Sequence, residues 1–342
     1  MAFSPSSSIF ANKYSYIQTF YTPRKKLPNP YISSDGRPKL VCVVGEDLEK
    51  MLHTGLEALG GLGRLVNSNQ HVLIKPNLVL RESHPDNPQY PTTSSPDCIV
   101  RLIEELKSFT NHIRVGDQGA EEQELIYDRL DLRSKVDSTG ADLINFTQMD
   151  NPIYIVRNIY SHPPTHDYRV YSAVYDSPVI INLCSLKRHS SAYMTCAIKN
   201  NIGAIEGRWN SSSRGYLHRH PNLSELFLES LPDVAHIIKP ELTVVDARDI
   251  MIGNGPALSF PGAAVKKGIN KILISGDMVA VDSYCAERIM QNEDPGFFVD
   301  SIHPTLKKGE MFGLGTSDLN KVEIFEIDEE WKAGGKTIDR KR

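Results

Sequence analysis

The sequence predicts an α/β protein with a mainly parallel sheet and flanking helices. Three observations support this fold: short continuous apolar runs, amphipathic stretches that alternate with them, and polar residues that follow directly after the runs. Continuous apolar runs are typical of parallel strands buried on both faces, and their alternation with amphipathic stretches is typical of β–α units. The 342 residues suffice for one large domain or two smaller ones.

The first predicted β–α unit starts at Leu40. Residues 40–44 form a short apolar run, and the apolar residues of 48–59 recur at helical spacing. A second strand over 72–74 is followed by a long polar loop and by a helix that Ser95-Pro96 opens, because serine caps helices and proline suits their first turn. Five further runs with the same character predict strands at 112–117, 143–146, 179–183, 242–246 and 271–277.

Two shorter features complete the predicted fold. Alternating aromatic and polar residues at 153–156 and 168–175 predict a small antiparallel insertion before the strand at Val179. Residues 322–327 predict a last strand. No internal repeat is evident.

The predicted domain organisation has three parts. Residues 1–38 are rich in serine, proline and aromatic side chains, which predicts an irregular N-terminal arm that packs on the body or on a partner subunit. Residues 39–330 form the α/β catalytic-type domain, either as one unit or as two lobes over 39–150 and 151–330. Residues 331–342 form a charged tail. A homo-oligomer held through the arm is one expectation.

Charge and hydropathy exclude several classes of protein. The chain has 38 Lys and Arg against 42 Asp and Glu, a net charge of -4, so a nucleic-acid-binding surface is not expected. No apolar run is long enough to span a membrane, and the first forty residues lack the apolar region of a signal peptide. The sequence therefore predicts a cytoplasmic protein that binds neither nucleic acid nor membrane.

The cysteines and glycines argue against most cofactors. There are five cysteines and no C-x-x-C pair, so neither a disulfide framework nor a structural zinc site nor an iron–sulfur cysteine run is indicated. Glycine patterns for a dinucleotide or ATP cradle are missing as well. We therefore predict no cofactor and interpret the cysteines as buried thiols.

Polar residues after the apolar runs form the candidate site, because ligands of open α/β sheets bind beyond the carboxyl ends of the strands. Each of these carboxylates and amides has an alternative structural role as a helix cap or turn residue. The candidate catalytic residues are Lys187, His189, Lys199 and Asp246. The candidate substrate-binding residues are Lys75, Asn77, Asp117, Arg188, Asn200 and Asn201.

Lysines and a histidine in one cleft favour acid–base chemistry on an anionic small molecule, of the isomerase, lyase or cyclase type. Ammonium groups bind carboxylates or phosphates, and an imidazole moves protons near neutral pH. Only five residues separate His189 from Thr195, so we expect Lys187 and Lys199 to face each other across one pocket. The assigned roles are anion anchors for Lys75 and Lys199, acid–base catalysis for His189, orientation for Asn77 and Asn200, and retention of a cation or lysine for Asp246.

Two alternatives from other classes stay open. His218 and His220 lie on one side of an extended segment and, with Asp246 or Asp249, are the candidates for a metal pair. This would favour an oxidoreductase that uses a divalent metal or an iron–sulfur cluster. The other alternative is a non-catalytic protein that binds an anionic metabolite without transforming it.

Several motifs in this order resemble the proteins grouped as domain of unknown function 362, over roughly residues 70 to 290. Many relatives look like iron–sulfur proteins with a ferredoxin-type cysteine cluster after the shared domain, and this chain lacks that cluster. The lysine-threonine-histidine of the family reads Lys187-Arg188-His189 here, which implies a more anionic or larger ligand. The matching segments are 72–78, Ser95-Pro96, 115–117, 180–189, 194–203, 244–247, 253–256 and 276–282.

Overall fold

The computed structural model places helices on both faces of one large sheet, which confirms the predicted α/β class. A second, three-stranded sheet lies beside it. The structure describes residues 19–20, 22–79, 82, 84, 86–147, 153–158, 167–206, 223–335 and 337.

The large sheet has ten strands in the described residues, and eight of them follow one path in the order β13-β2-β12-β10-β8-β3-β4-β5. Along this path β12 runs antiparallel to both of its neighbours, and all the other neighbours are parallel. The mainly parallel sheet is thus confirmed. Two short strands extend it, because β9 pairs with β8 and β11 pairs with β10, both antiparallel. The strands are β2 Lys39–Val44, β3 Val72–Lys75, β4 Ile113–Val115, β5 Asp142–Leu143, β8 Val179–His189, β9 Tyr193–Thr195, β10 Leu242–Ile252, β11 Ala264–Lys266, β12 Lys271–Ser275 and β13 Glu323–Asp328.

The helices form two layers, and their apolar residues meet the sheet in two buried clusters, one on each face. The layer made by α1 to α4 covers one face, and the layer made by α6, α7, α8 and α10 covers the other. All five cysteines are buried thiols, as predicted. The helices are α1 Leu48–Leu59, α2 Pro96–Lys107, α3 Gln123–Leu130, α4 Leu132–Thr139, α5 Ser172–Tyr175, α6 Ala197–Asn200, α7 Leu223–Ile238, α8 Met278–Tyr284, α9 Gln291–Glu293 and α10 His303–Met311.

Two strands of the large sheet run further than their apolar patterns predict. Beyond residue 183, β8 continues to His189, and β10 continues from Asp246 to Ile252. The polar residues there are therefore strand residues and not loop residues. The reason is that β9 and the far part of β10 pair with the extension of β8, which supplies backbone hydrogen bonds past the apolar part of the sheet.

The small sheet contains the predicted antiparallel insertion. Strand β6 (Ile153–Arg157) pairs antiparallel with β7 (Asp167–Tyr171). A two-residue strand from the arm, β1 (Thr19–Phe20), adds to β6 in parallel. Phe20 packs edge-on against Tyr154 with 4.8 Å between the ring centroids, so aromatic contacts fasten the arm to the insertion.

The described part of the N-terminal arm packs on the chain's own body. Arg24 and Glu241 form a buried ion pair, in which the side chains are 3% and 1% exposed. Glu241 also accepts the backbone N–H groups of Leu27 and Ile180, and Tyr31 is buried against the helical layer of α1. The division into domains, the second lobe and a homo-oligomer held through the arm stay predictions.

In the described part of the chain, no helix is both long and apolar enough to cross a bilayer.

Candidate functional site

A buried ion pair lies where β3 and β4 end. Lys75 is the last residue of β3, and Asp117 follows β4 by two residues. The Lys75 Nζ atom lies 2.7 Å from Asp117 Oδ1, and the side chains are 0% and 3% exposed. The second oxygen, Oδ2, accepts the backbone N–H of Leu78 at 2.7 Å. The two charges therefore compensate each other where water does not reach them.

Gly203 packs directly against the Lys75–Asp117 ion pair. A Cβ atom added at Gly203 would lie 1.9 Å from Asp117 Oδ1 and 2.8 Å from Lys75 Nζ. The backbone carbonyl of Gly203 accepts the N–H of Gln118 at 3.0 Å, which fixes this close approach. Only glycine can occupy this position without displacing the carboxylate.

Lys187 is the second buried lysine of the site, and its partners are uncharged. It lies on β8, is 1% exposed, and donates to the side-chain oxygen Oδ1 of Asn77 at 2.7 Å. It also donates to the backbone carbonyl of Thr92. The direct contacts of this ammonium group thus include an amide and a carbonyl oxygen, whereas Lys75 contacts a carboxylate.

Burial lowers the pKa of Lys187 to about 7. The carboxylates of Asp117 and Glu82 act in the opposite direction, by attraction over a longer distance. The Glu82 side chain is buried as well. Its Oε1 atom accepts hydrogen bonds from the Thr92 hydroxyl at 2.5 Å and from the Leu258 N–H at 2.6 Å. At neutral pH the Lys187 amine is therefore able both to accept and to donate a proton.

Asparagine side chains connect Lys187 to α6. The Asn77 amide Nδ2 donates to Asn200 Oδ1 at 2.8 Å, and the Asn200 amide donates to Asn182 Oδ1 at 2.8 Å. Asn182 in turn donates to the backbone carbonyl of Ala197, the first residue of α6. The result is a continuous hydrogen-bonded chain from Lys187 to the start of that helix.

A buried carboxylate holds the N-terminus of α6. Asp282 of α8 accepts the backbone N–H groups of Ala197 at 2.6 Å and Ile198 at 3.1 Å. Burial raises the pKa of Asp282 to about 6, although these two hydrogen bonds favour the ionised form. Asp282 thus positions the helix that carries Asn200.

Two hydroxyl groups beside Lys187 have no hydrogen-bond partner among the described residues. They belong to Ser185, which is 0% exposed, and Thr195, which is 1% exposed. Ser185 precedes Lys187 by two positions on β8, so both side chains leave the same face of the strand. Thr195 is the partner of Lys187 across the β8–β9 pair, so it lies on that face too. A buried hydroxyl without a partner costs about 1–3 kcal/mol.

His189 ends β8, and its ring orientation is fixed. The Nδ1 atom accepts the backbone N–H groups of Ser191 at 3.1 Å and Ala192 at 3.2 Å. Because Nδ1 serves as an acceptor, the proton of the neutral ring lies on Nε2. The ring is 7% exposed, at the same end of β8 as Lys187.

Asp246 holds a cation, as expected of it, and that cation is Arg248 and not a lysine. Both of its carboxylate oxygens accept from the Arg248 guanidinium, at 2.9 and 2.8 Å. The Tyr90 hydroxyl donates to Oδ1 at 2.8 Å. Asp246 therefore retains an arginine and a tyrosine, and the carboxylate at Lys75 is Asp117.

Two other candidates have described contacts with residues other than Lys187, and a third lies on α6. Arg188 points to the opposite face of β8, where it donates to the Gly296 carbonyl at 2.7 Å, so it adds no charge beside Lys187. Asn201 donates to the Ala197 and Ile198 carbonyls within its own turn. Lys199 is half-buried on α6. The described contacts join α6 to Lys187 through Asn200.

The structure describes two of the four candidates for metal ligation, Asp246 and Asp249. His218 and His220 lie outside the described residues, and the Asp249 carboxylate accepts the Gly268 backbone N–H at 2.9 Å. No group of three or more histidine, cysteine, aspartate or glutamate side chains in the described ranges is arranged to hold a metal ion.

Sequence reasoning missed five residues of the site, and only some of them leave a signal. Ser185 alternates with Lys187, which is visible once β8 is known to continue. Asn182 interrupts an apolar run, which is unusual for a buried strand. The contacts of the other residues are long-range, so no local pattern indicates them. The five residues are Glu82, Thr92, Asn182, Ser185 and Thr195.

The proteins that are similar to this chain include one related sequence and two distant structures. The thylakoid-associated protein sll1697 of Synechocystis sp. is 26% identical over 270 residues, covering 77% of this chain and 74% of that protein. The lactate racemase apoprotein of Thermoanaerobacterium thermosaccharolyticum aligns with a TM-score of 0.46 and 10% identity over 75% of this chain and 58% of that one. A Thermotoga maritima protein aligns with a TM-score of 0.33 and 9% identity over 77% and 59%. This chain therefore spans less than two thirds of either solved structure.

The family model of the domain of unknown function DUF362 matches residues 72–287. This range extends from β3 through α8 and contains both buried lysines, the asparagine chain and Asp282. The match confirms the resemblance that the strand-end motifs indicate. Because it covers more than half of the sequence, the chain belongs to the DUF362 family.

Proposed function

We propose that this protein is an enzyme that moves a proton on an anionic small molecule, with Lys187 as the proton-transferring group. The observation that carries the proposal is the Lys187 amine, which is buried at the end of β8 with two uncharged direct partners. Burial brings its pKa to about 7, and acid–base catalysis is most efficient when the pKa of the group lies near the working pH.

The surroundings of Lys187 support different roles for its neighbours. Asn77 and Asn200 orient the amine, because the hydrogen-bonded chain leaves Asn77 Oδ1 facing Nζ. His189, with its proton on Nε2, is the second proton donor in the proposal. Lys75 forms an ion pair with Asp117, so the two charges compensate each other, and the proposal gives Lys75 no role in proton transfer. The ammonium group that forms when the neutral Lys187 amine accepts the proton stabilises the negative charge that develops on the substrate.

The proposal requires no cofactor, since the amine itself carries the proton. An enzyme of this type exchanges a carbon-bound hydrogen of its substrate with solvent. The experiment therefore incubates the protein in D₂O with separate mono- and dicarboxylates and phosphate monoesters, and follows the C–H signals by proton NMR.

Two matched variants decide the result. Lys187→Met removes the proposed group, whereas Lys26→Met removes a half-buried lysine of the arm that donates to the Gly276 carbonyl. We expect exchange to be lost in the first variant and kept in the second, with a pH midpoint near 7 for the wild-type rate. Full exchange by folded Lys187→Met protein would refute the proposal. A ligand that binds but never exchanges or reacts would instead favour a non-catalytic binding protein.

A further inference from the structure

Ser185 and Thr195 present hydroxyl groups on the side of β8 where Lys187 lies. Neighbouring residues on one face of a strand, and partners across a strand pair, have Cβ atoms about 5 to 7 Å apart. The two hydroxyls therefore flank the stem of Lys187. Thr195 belongs to β9, which pairs with β8 from Lys187 to His189, so both hydroxyls sit on regular backbone and not on a loop.

The other polar side chains near Lys187 already have partners. Asn77 and Asn200 bond each other, and the Ser94 hydroxyl donates to the Leu183 carbonyl at 3.2 Å. The Ser185 and Thr195 hydroxyls are fully buried, and the described residues provide no acceptor or donor for either one. Buried polar groups normally find a partner. Two buried hydroxyls without partners next to one lysine indicate that the oxygen atoms of a ligand accept their hydrogen bonds.

The charges around this place restrict the class of ligand. Lys75 is paired with Asp117, and Arg248 is paired with Asp246. The Lys187 ammonium group directly contacts an amide oxygen and a backbone carbonyl, and the carboxylates of Asp117 and Glu82 attract it from a distance. A dianionic phosphate would be poorly compensated here. A carbonyl or carboxylate, with an oxygen for each hydroxyl, fits the available donors.

Resting on the proposed function, we infer that Ser185 and Thr195 bind the carbonyl and carboxylate oxygens of a small oxo acid whose neighbouring C–H group gives its proton to Lys187. In this step the C–H bond breaks and its proton forms a bond to Lys187 Nζ. The electron pair moves to the carbonyl oxygen, which becomes an enolate oxygen bound by one hydroxyl, while the other hydroxyl binds the carboxylate. The ammonium group then returns the proton to carbon, so no oxidant or reductant is needed.

Pyruvate and oxalate are the probes for this inference. Pyruvate has a ketone, a carboxylate and exchangeable C–H groups, and oxalate has the planar oxygen arrangement of its enolate. The exchange of pyruvate C–H groups in D₂O is followed by NMR, and the binding of oxalate by calorimetry. Ser185→Ala and Thr195→Val each remove one hydroxyl. Ser172→Ala is the control, because it removes a buried serine hydroxyl that lacks a described partner elsewhere in the chain, on α5.

We expect Ser185→Ala and Thr195→Val each to lower the exchange rate about 100-fold, as for the loss of one oxyanion donor, and to weaken oxalate binding. The pH midpoint set by Lys187 should not move, and Ser172→Ala should exchange at the wild-type rate. Melting temperatures should not fall in the two site variants, whereas purely structural hydroxyls would lower them.

The outcomes separate this inference from the proposed function. Unchanged exchange and oxalate binding in both site variants, with exchange lost in Lys187→Met, would overturn the inference and leave the proposed function standing. Exchange that survives in Lys187→Met would refute the proposed function. A wild-type protein that neither exchanges pyruvate nor binds oxalate would overturn the assignment of an oxo acid.

Discussion

Gly203→Ala tests whether the buried Lys75–Asp117 pair is held by close packing. The new methyl group would lie 1.9 Å from Asp117 Oδ1, so the carboxylate must move away from Lys75. Separating a buried ion pair costs about 3–5 kcal/mol. Replacing glycine by alanine where the backbone permits it returns about 0.4–1 kcal/mol. We therefore expect a net loss of about 2–4 kcal/mol in the free energy of unfolding.

Urea unfolding followed by circular dichroism measures this loss. Gly296→Ala is the matched control, because the nearest atom to its added Cβ is Asp294 Oδ1 at 3.5 Å, an ordinary contact. We expect it to change stability by less than about 0.5 kcal/mol. The variant Asp117→Ala removes the carboxylate that the methyl group meets, so Gly203→Ala should cost at least about 2 kcal/mol less in that background. Additive effects of the two substitutions would refute the reasoning.

Three further predictions concern buried charges. Burial raises the folded-state pKa of Asp282 to about 6 from 3.8, so its contribution to stability is complete below about pH 4 and is lost as the pH rises through 6. Asp282→Asn should flatten the dependence of the free energy of unfolding on pH in this range, and an unchanged slope would contradict the assignment. Lys187 has a lowered pKa of about 7 against 10.5, so the free energy of unfolding should rise between pH 7 and 10 by about 1.4 kcal/mol per pH unit. Lys187→Met should abolish that rise in urea titrations. Arg24→Met leaves the Glu241 carboxylate buried without its cation, which should lower the free energy of unfolding by about 3–5 kcal/mol. Amide hydrogen exchange in residues 22–38 should become faster, and an unchanged exchange rate there would show that other contacts hold the arm.

The sheet was predictable because its strands are buried on both faces. Continuous apolar runs located β2, β3, β8, β10 and β12, and the residues that end those runs include both lysines of the site. The extension of β8 was not predictable, because one of its partners, β9, is only three residues long and the other, β10, pairs with it past a shift in register. A polar residue after an apolar run is equally compatible with a loop, and only the pairing of Lys187 with Thr195 decides between the two.

The pairing of charges was the least predictable part of the site. Asp246 and Asp117 both follow apolar strand runs, and nothing local indicates which one compensates a lysine. In the structure Asp117 lies beside Lys75 because β4 neighbours β3. Asp246 instead meets Arg248, two residues further along its own strand. The strand order of the sheet therefore decides the electrostatics, and strand order is a long-range property.

Lys75 and Lys187 show how the contacts of a residue, and not its type or its burial, decide its chemistry. Both follow apolar runs, and both side chains are 1% exposed or less. Lys75 has a carboxylate at 2.7 Å, which compensates its charge directly. Lys187 has an amide oxygen and a backbone carbonyl, which accept hydrogen bonds but compensate no charge.

Exchanging the environments of the two lysines would exchange their roles, and an aspartate at position 77 would test this. Asn77→Asp places a carboxylate beside Nζ, which should raise the pKa of Lys187 and move the pH midpoint of proton exchange above 7. A midpoint that stays near 7 in this variant would show that another group sets it.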